Sequence, residues 1–434
     1  MSDGGRAHGD SSADRRSRVL VVGTTPDYVD LLRREHPDTC LFLTEAQLRR
    51  HARESCPGTS EEVLYRDEEQ LAVTELVRRH LEHHDIRITG VACFDCESMP
   101  LASLIAQQFG LPYPLPETVA RCRNKRQMKE CWKAGGTPTA RFAVVGRSQE
   151  AVEFLHQTGG PCVLKPLSGS GSELIFRVET EAECRRLFNQ MIALLEVRRE
   201  APLFRSCPDG RTSVLIEECV EGQEYSCDFL IESGRVCVIR VAVKHRSGDS
   251  PFGIIEAYEL SRDLPDACQS SRLTPLLLAA ATSLGIDRAI CMADFIVRDG
   301  QSVFLELTPR CGGDCLPPLL KTACDFDSLG LAIRFARESV DNAVTTVDQP
   351  TVALRLFADR AGTLESTDTA ALASDRRVVS VTCTRQSGDS VQLPPLDYDS
   401  WILGHVIYRP EPGRMISEQN DELKSLFQFR ITAK

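Results

Sequence analysis

The chain of 434 residues contains no apolar run approaching the roughly 20 residues that a membrane-spanning helix needs, so no membrane partner is expected. It has no basic excess either. With 62 Asp and Glu against 51 Lys and Arg, the formal net charge is −11, which argues against nucleic acid as a partner because that binding asks for a basic face. Any anionic ligand must then be held by a few local cations. A secretory h-region is lacking, no internal repeat is visible, and Gly23 is not followed by GxGxxG, so the dinucleotide fingerprint is missing. Cys93-Phe94-Asp95-Cys96 is a lone CxxC with no second pair or His cluster at zinc spacing. It reads as structural filler before it reads as a redox or metal site.

What remains is the make-up of an ordinary globular chain: 42% hydrophobic and 26% charged residues, long enough for two or three domains. The 18 cysteines are scattered, and many, such as Cys162, Cys219, Cys227, Cys237 and Cys291, fall inside expected strands or helices, where a free thiol serves as a small hydrophobe. A cytoplasmic location is expected.

Residues 1–17 are rich in Gly, Ser, Asp and Arg and read as a disordered leader. Arg18–Gly23 and Thr89–Phe94 read as strands, with a helix over Asp67–His84 between them, a pattern that favours an α/β layer with a parallel sheet. The stiff Leu111–Pro116 segment closes this part. A helix carrying Arg121 to Trp132 then stops at Gly135-Gly136. Strands follow at Arg141–Val145, Pro161–Lys165, Val214–Ile216, Tyr225–Ile231, Val236–Val243 and Gly253–Glu259, then a helix near Leu273–Leu284. Ile290–Val297 and Ser302–Leu307 form a hairpin through an Asp299-Gly300 turn. The part beyond Thr351 is strand-rich, with strands at Val378–Thr384 and Trp401–Tyr408.

Four segments carry chemistry. Asp294 and Glu306 lie on the two arms of the hairpin, where position 294 faces 305 or 306, so the carboxylates come within about 5 Å at their bases. Two carboxylates that close repel unless a cation lies between them, and Mg²⁺ is the hard, oxygen-seeking candidate, shared with substrate phosphates. The plainer reading is a hairpin with surface acids. Arg310 follows directly and reaches the same space; it can grip a phosphate in a bidentate way or form a structural ion pair. Lys165 ends a buried strand, where a lysine needs a charged partner, and a nucleotide triphosphate supplies one. Ser168-Gly169-Ser170-Gly171-Ser172 offers backbone N–H groups and hydroxyls for a lid over phosphates, or is simply a loop. Lys125 is a second phosphate cation or a surface helix lysine. The backbone from Glu218 to Val220, after Glu217, is placed to read an adenine edge, with Glu224 near the ribose.

Taken together, Asn124-Lys125, Val163–Ser172, Leu215–Ser226 and Ala293–Arg310 resemble the ATP-grasp superfamily over Glu117 to about Arg337. The resemblance implies an α/β fold of ATP-grasp type: an N-terminal Rossmann-like parallel-sheet domain (18–116), a small lid subdomain (117–210), a larger antiparallel-sheet domain (211–350) and a strand-rich C-terminal part (351–434). ATP would bind between lid and larger domain. Lys125 and Lys165 would hold phosphates, Glu217 would lie at the adenine hinge, Asp294 and Glu306 would hold Mg²⁺ (or Mn²⁺), and Arg310 would serve the transferring phosphate. Two departures stand out: Asp294 replaces the usual Glu, and Thr308 replaces the Asn of the Glu-x-Asn-Pro-Arg pattern. Lys244–Glu256 and Pro309–Gly313 look like the amino-acid ligase branch, in which Glu256, Glu259 (where the family has His), Arg310, Gly312 and Gly313 would face substrate, the two glycines letting backbone approach the acyl group. That branch joins a carboxylate to an amine through an acyl phosphate, and its members are often dimers. The alternatives are a biotin- or nucleotide-precursor-type carboxylase and a non-catalytic ATP-binding regulatory module.

Overall fold

The computed structural model describes residues 16–433 apart from 24–25, 53, 67–69, 199–200, 202–203, 205–212, 247, 249 and 341–342. The chain divides into two compact units, one of residues up to Leu115 with Ala332–Ser339, the other of Pro116–Leu331 with Val340–Lys434.

In the first unit, β1 (Arg16–Val22), β2 (Cys40–Glu45), β3 (Glu62–Tyr65) and β4 (Ile86–Cys93) form a parallel sheet in the order β3-β2-β1-β4. Helices α1 (Pro26–Glu35), α2 (Ala46–His51), α3 (Gln70–His84) and α4 (Met99–Phe109) alternate with these strands. Val19 to Val22 are fully buried, as an apolar run inside a parallel sheet should be. The strand already begins at Arg16, so the leader expected over 1–17 loses its last two residues to the sheet; the remainder lies outside the described residues. Sequence reading also missed β2 and β3, each a short run without alternation. Cys93 and Cys96 are buried free thiols.

The second unit opens with α5 (Pro116–Arg123) and α6 (Lys125–Gly135). The single helix expected across Arg121–Trp132 is therefore two. Asn124 leaves the helical region and accepts the Gln127 N–H on its side chain (3.2 Å), starting α6 afresh. Gly136, with φ +72°, ends it. A four-stranded sheet follows in the order β5-β8-β6-β7, from β5 (Phe142–Val145), β6 (Cys162–Pro166), β7 (Phe176–Val178) and β8 (Val214–Glu218), with α7 (Ser148–Thr158) and α8 (Glu181–Val197) packed on it. Because β8 sits between β5 and β6, this layer continues past the boundary read at 210.

The large sheet has eight strands in the order β13-β12-β9-β10-β11-β14-β18-β16. They are β9 (Gln223–Glu232), β10 (Arg235–His245), β11 (Ala257–Leu260), β12 (Arg288–Arg298), β13 (Gln301–Thr308), β14 (Thr351–Phe357), β16 (Val378–Cys383) and β18 (Ile402–Tyr408). A three-stranded sheet of β15 (Gly362–Asp368), β17 (Ser390–Val391) and β19 (Gln428–Thr432) completes the unit. The boundary read at 350 thus falls inside one continuous sheet. The strand expected over Gly253–Glu259 is only β11, because Gly253 takes φ +89° and the preceding segment leaves the ladder.

The large sheet owes its site to strict alternation. In β9, Glu224, Ser226 and Asp228 share one face, while Tyr225, Cys227 and Phe229 share the other. The apolar face packs against Met128 and Trp132 of α6 and Leu273 and Leu277 of α9 (Ser270–Ser283). Trp132 is fully buried and donates its indole N–H to the Ala280 carbonyl (3.1 Å). Burial also sets the thiols: it pushes Cys122 and Cys268 up to about 12, which keeps them as neutral hydrophobes. Among the described residues, no helix is long and apolar enough to cross a membrane.

Candidate functional site

The opposite, polar face of the large sheet carries the charged groups. Asp299 (φ +51°) and Gly300 (φ +74°) both take the left-handed conformation that a two-residue hairpin turn requires, and this sets the register of β12 on β13. Phe295 faces Phe304, but a bulge then skips Leu305, so that Asp294 faces Glu306. The bulge is what brings the two acids opposite one another.

Lys244 of β10 stands across β9 from Asp294. Its ammonium lies 2.6 Å from Glu224 Oε1 and 2.7 Å from Asp294 Oδ2, while Arg246 binds the other Glu224 oxygen. Burial opposes the Lys244 charge, but Asp294 and Glu224 outweigh it and raise its pKa. For Glu224, burial is likewise overcome by Lys244 and Arg246, which lower its pKa and hold it ionised. Asp294 moves the other way: burial raises its pKa, and Glu224 and Glu306 add to this against Lys244. One ammonium shared by two carboxylates cannot neutralise both, and Glu224 has the second cation. Asp294 Oδ1 is left buried without a hydrogen-bond partner. That orphaned carboxylate oxygen, opposite a second carboxylate, is the donor type that fits a hard divalent cation. Glu224 itself is engaged by its two cations.

Two lysines approach from elsewhere. Lys125 opens α6; its N–H donates to the Leu167 carbonyl (2.8 Å), and its ammonium donates to the Gly169 carbonyl (3.2 Å) and lies 3.8 Å from Glu306 Oε2. It is 8% exposed, not a surface lysine. It anchors the Ser168–Ser172 loop, in which Ser168 is buried, Ser170 is half-buried, and Gly169 (φ +142°) and Gly171 (φ +64°) hold conformations that a side chain would strain. Lys165, also 8% exposed, does not wait for a triphosphate as partner: it donates to Glu217 Oε2 (3.0 Å).

Glu217, 1% exposed, is gripped from its other side by Lys129, whose ammonium lies 3.2 Å from Oε1. Burial raises the Glu217 pKa, but the two lysines bring it below the usual carboxylate range. The Glu217 side chain is therefore the centre of an ion triad, not a free hinge acid. The hinge expected at Glu218 to Val220 is also partly committed. The Glu218 N–H donates to the Arg141 carbonyl (3.0 Å) and the Cys219 N–H to the Pro161 carbonyl (2.9 Å). The Glu218 carboxylate takes Arg141 Nε (2.7 Å). Val220 packs with Ala140, Ile296 and Val303, so the adenine reading now rests on its backbone.

The loop after β13 is held from below. Arg240 and Asp228, each with a side chain 1% exposed, form a bidentate pair (2.9 and 3.0 Å), and both Asp228 oxygens accept the Gly312 N–H (3.1 Å). Arg310 is half-buried and donates to the Cys311 carbonyl (2.8 Å). A Cβ on Gly312 would lie 2.5 Å from Arg240 Nη2 and 2.7 Å from Leu316 Cδ1. This glycine lets the ion pair approach the backbone, while Gly313 lends its carbonyl to the Leu316 N–H (3.1 Å) at the start of α10 (Leu316–Cys324). Gly312→Ala is expected to cost about 1–3 kcal/mol by overpacking, read as a lowered thermal midpoint, and to reduce any activity that uses Arg310.

Glu256 and Glu259 do not converge with these groups. Glu256 is buried and takes Lys424 (2.5 Å) and Asn420 (3.5 Å) of the helix Ile416–Leu426. Glu259 pairs with His245 (2.8 Å). Sequence reading missed Lys129, Lys244, Asp228 and Arg240 as site residues. The alternation Glu-Tyr-Ser-Cys-Asp-Phe in β9 was the available signal for Asp228, and the even spacing of Arg240, Ala242 and Lys244 on one face of β10 was that for Arg240 and Lys244.

Residues 158–318 match the family model of an ATP-grasp domain. An uncharacterized protein (y4rH) of Sinorhizobium fredii is 27% identical over 264 residues, 61% of this chain and 52% of that protein. A D-alanine–D-alanine ligase of Acidovorax ebreus is 25% identical over 54% of this chain and 68% of its own length. An L-arginine-specific L-amino acid ligase of Bacillus subtilis is 25% identical over 34% of this chain and 33% of that protein. The match thus spans about half of the first relative and a third of the last. Among solved structures, an L-amino acid ligase from Bacillus licheniformis has the same fold at 17% identity, with a TM-score of 0.73, covering 97% of this chain and all of that one. A biotin carboxylase from Campylobacter jejuni follows at 14% identity and a TM-score of 0.66, covering 98% and 94%.

Proposed function

We propose that this chain, whose residues 158–318 match the family model of an ATP-grasp domain and which shares the fold of an L-amino acid ligase, is an ATP-dependent ligase that joins a carboxylate to an amine, one of the two substrates being an amino acid. The observation that carries this reading is the grouping on one polar face: Lys125 lies 3.8 Å from Glu306, Glu306 stands in register with Asp294, and the glycine-rich loop is tied to Lys125.

Lys125 and Lys165 bind the ATP phosphates, and the Ser168–Ser172 loop covers them and excludes water, which would otherwise hydrolyse an acyl phosphate. An oxygen of the substrate carboxylate bonds to the γ-phosphorus as the bond to the β-phosphate oxygen breaks, giving acyl phosphate and ADP. The amine nitrogen then bonds to the acyl carbon, inorganic phosphate leaves with the bonding electrons, and the nitrogen loses a proton. Arg310 neutralises charge on the transferring group. Asp294 and Glu306 would hold Mg²⁺ (or Mn²⁺), which supplies charge neutralisation at the phosphates. Phosphoryl transfer needs positioning and charge compensation more than a protein nucleophile, and this polar face supplies cations and carboxylates.

The test is ADP release across pairs of amino acids and small acids, with mass detection of the product. Release that needs both an acid and an amine, with an amide of matching mass, is the expected result. Bicarbonate-dependent release without an amine would replace the reading with a carboxylase. Tight ATP binding with no ADP from any pair would leave a regulatory module.

A further inference from the structure

We propose that Lys129 is a positioning residue that, through Glu217, frees the charge of Lys165 for a nucleotide phosphate; this rests on the nucleotide reading above. Lys129 is fully buried in α6. A buried lysine is costly, and an apolar side chain of similar volume would often serve the fold as well or better, so its retention asks for a reason. Its ammonium links its own helix directly to β8 and, through Thr139, to β13. It lies 3.2 Å from Glu217 Oε1 on β8 and donates to Thr139 Oγ1 (2.9 Å), which in turn donates to the Phe304 carbonyl on β13 (3.1 Å). The Phe304 N–H closes this junction on the Pro138 carbonyl (2.9 Å). Each element carries or contacts a member of the site: α6 has Lys125, β8 has the partner of Lys165, and β13 has Glu306.

The charge count gives the junction its purpose. Lys165 with Glu217 alone would be a neutral pair, with the lysine turned to the carboxylate and little net charge left for an anion. With Lys129 on the second oxygen, one carboxylate is shared by two ammonium groups and the triad carries a net positive charge. Lys165, at 8% exposure against none for Lys129, is the member able to meet a phosphate. The groups facing Lys129 are Glu217 from β8, Lys165 from β6 and Lys125 from its own helix, with the Trp132 ring at 5.9 Å. Burial, opposed by Glu217 and reinforced by the two lysines, brings the Lys129 pKa down to about 8.

The experiment is direct binding of Mg·ADP by calorimetry, which needs no acid or amine substrate. Lys129→Met is expected to weaken ADP binding about 10- to 100-fold. The double variant Lys129→Met/Glu217→Gln, which restores an uncompensated Lys165, is expected to recover to within about threefold of the wild type, as a pair acting in series requires. Wild-type affinity is expected to fall about tenfold between about pH 7.5 and 9.5 as Lys129 loses its proton; Lys129→Arg, which stays charged, should hold flat. The pH series on the wild type stands even if Lys129→Met does not fold. Unchanged affinity in the single variant, no recovery in the double variant, or a flat wild-type pH profile overturns the inference while leaving ATP binding intact. Wild-type protein that binds no ADP overturns both.

Discussion

Lys165→Met is expected to lower ADP formation by about three orders of magnitude. A cation about 4 Å from a phosphate is worth roughly 4 kcal/mol at intermediate dielectric, and one power of ten in rate corresponds to about 1.4 kcal/mol. Most of that loss should fall on turnover, because charge on the transferring group grows toward the transition state. The fold should tolerate the change. Glu217 keeps Lys129 as a partner at 3.2 Å, so no unpaired buried carboxylate is created, and Met fills most of the volume of the lysine stem. The measurement is steady-state ADP release together with the thermal midpoint. Turnover like that of the wild type by a folded Lys165→Met protein would end the assignment of Lys165 to the phosphates.

The second large effect concerns the acids. Asp294→Asn is expected to reduce ADP formation at least about 100-fold while leaving the thermal midpoint at pH 7 equal to or above that of the wild type. The reason lies in the sign of the Asp294 shift. Burial, with Glu224 and Glu306, raises its pKa, so the folded state disfavours its ionised form. Removing that charge relieves the fold, and an Asn oxygen still accepts from Lys244. Ionisation that is unfavourable to the fold is explained if a cation is to be bound there, a common trade between stability and activity. Chelation of divalent ions by EDTA should likewise abolish ADP formation, with recovery on adding Mg²⁺ or Mn²⁺. A strongly destabilised Asp294→Asn protein would instead make Asp294 a structural partner of Lys244, and activity undiminished by EDTA would remove the metal from the account.

Much of this was legible in the chain before folding. Lys165 between Leu164 and Pro166 announced a buried cation, and the Asp299-Gly300 pair announced the hairpin that brings Asp294 and Glu306 near each other. Both were right in kind. The partner of Lys165 was not legible, because Glu217 lies 52 positions away and only the pairing of β6 with β8 brings the two together. Glu256 illustrates the converse. Its place in the branch pattern suggested a substrate role, but Lys424, 168 positions on, claims its carboxylate. Gly312 likewise drew notice as a site of close backbone approach, and the group that the fold brings to its Cβ position is the Asp228–Arg240 pair, 84 and 72 positions back along the chain.

Local sequence, then, determined the elements and their polarity: the alternation in β9, the cap at Asn124 and the left-handed turn residues each follow from short-range sterics and hydrogen bonding. Tertiary structure alone decided which charges meet. One skipped residue, Leu305, sets Asp294 opposite Glu306, and strand order places Lys244 between Glu224 and Asp294. Coulomb energy in a buried site depends on separations of a few ångströms, and such separations belong to the packed sheet, not to spacing along the chain.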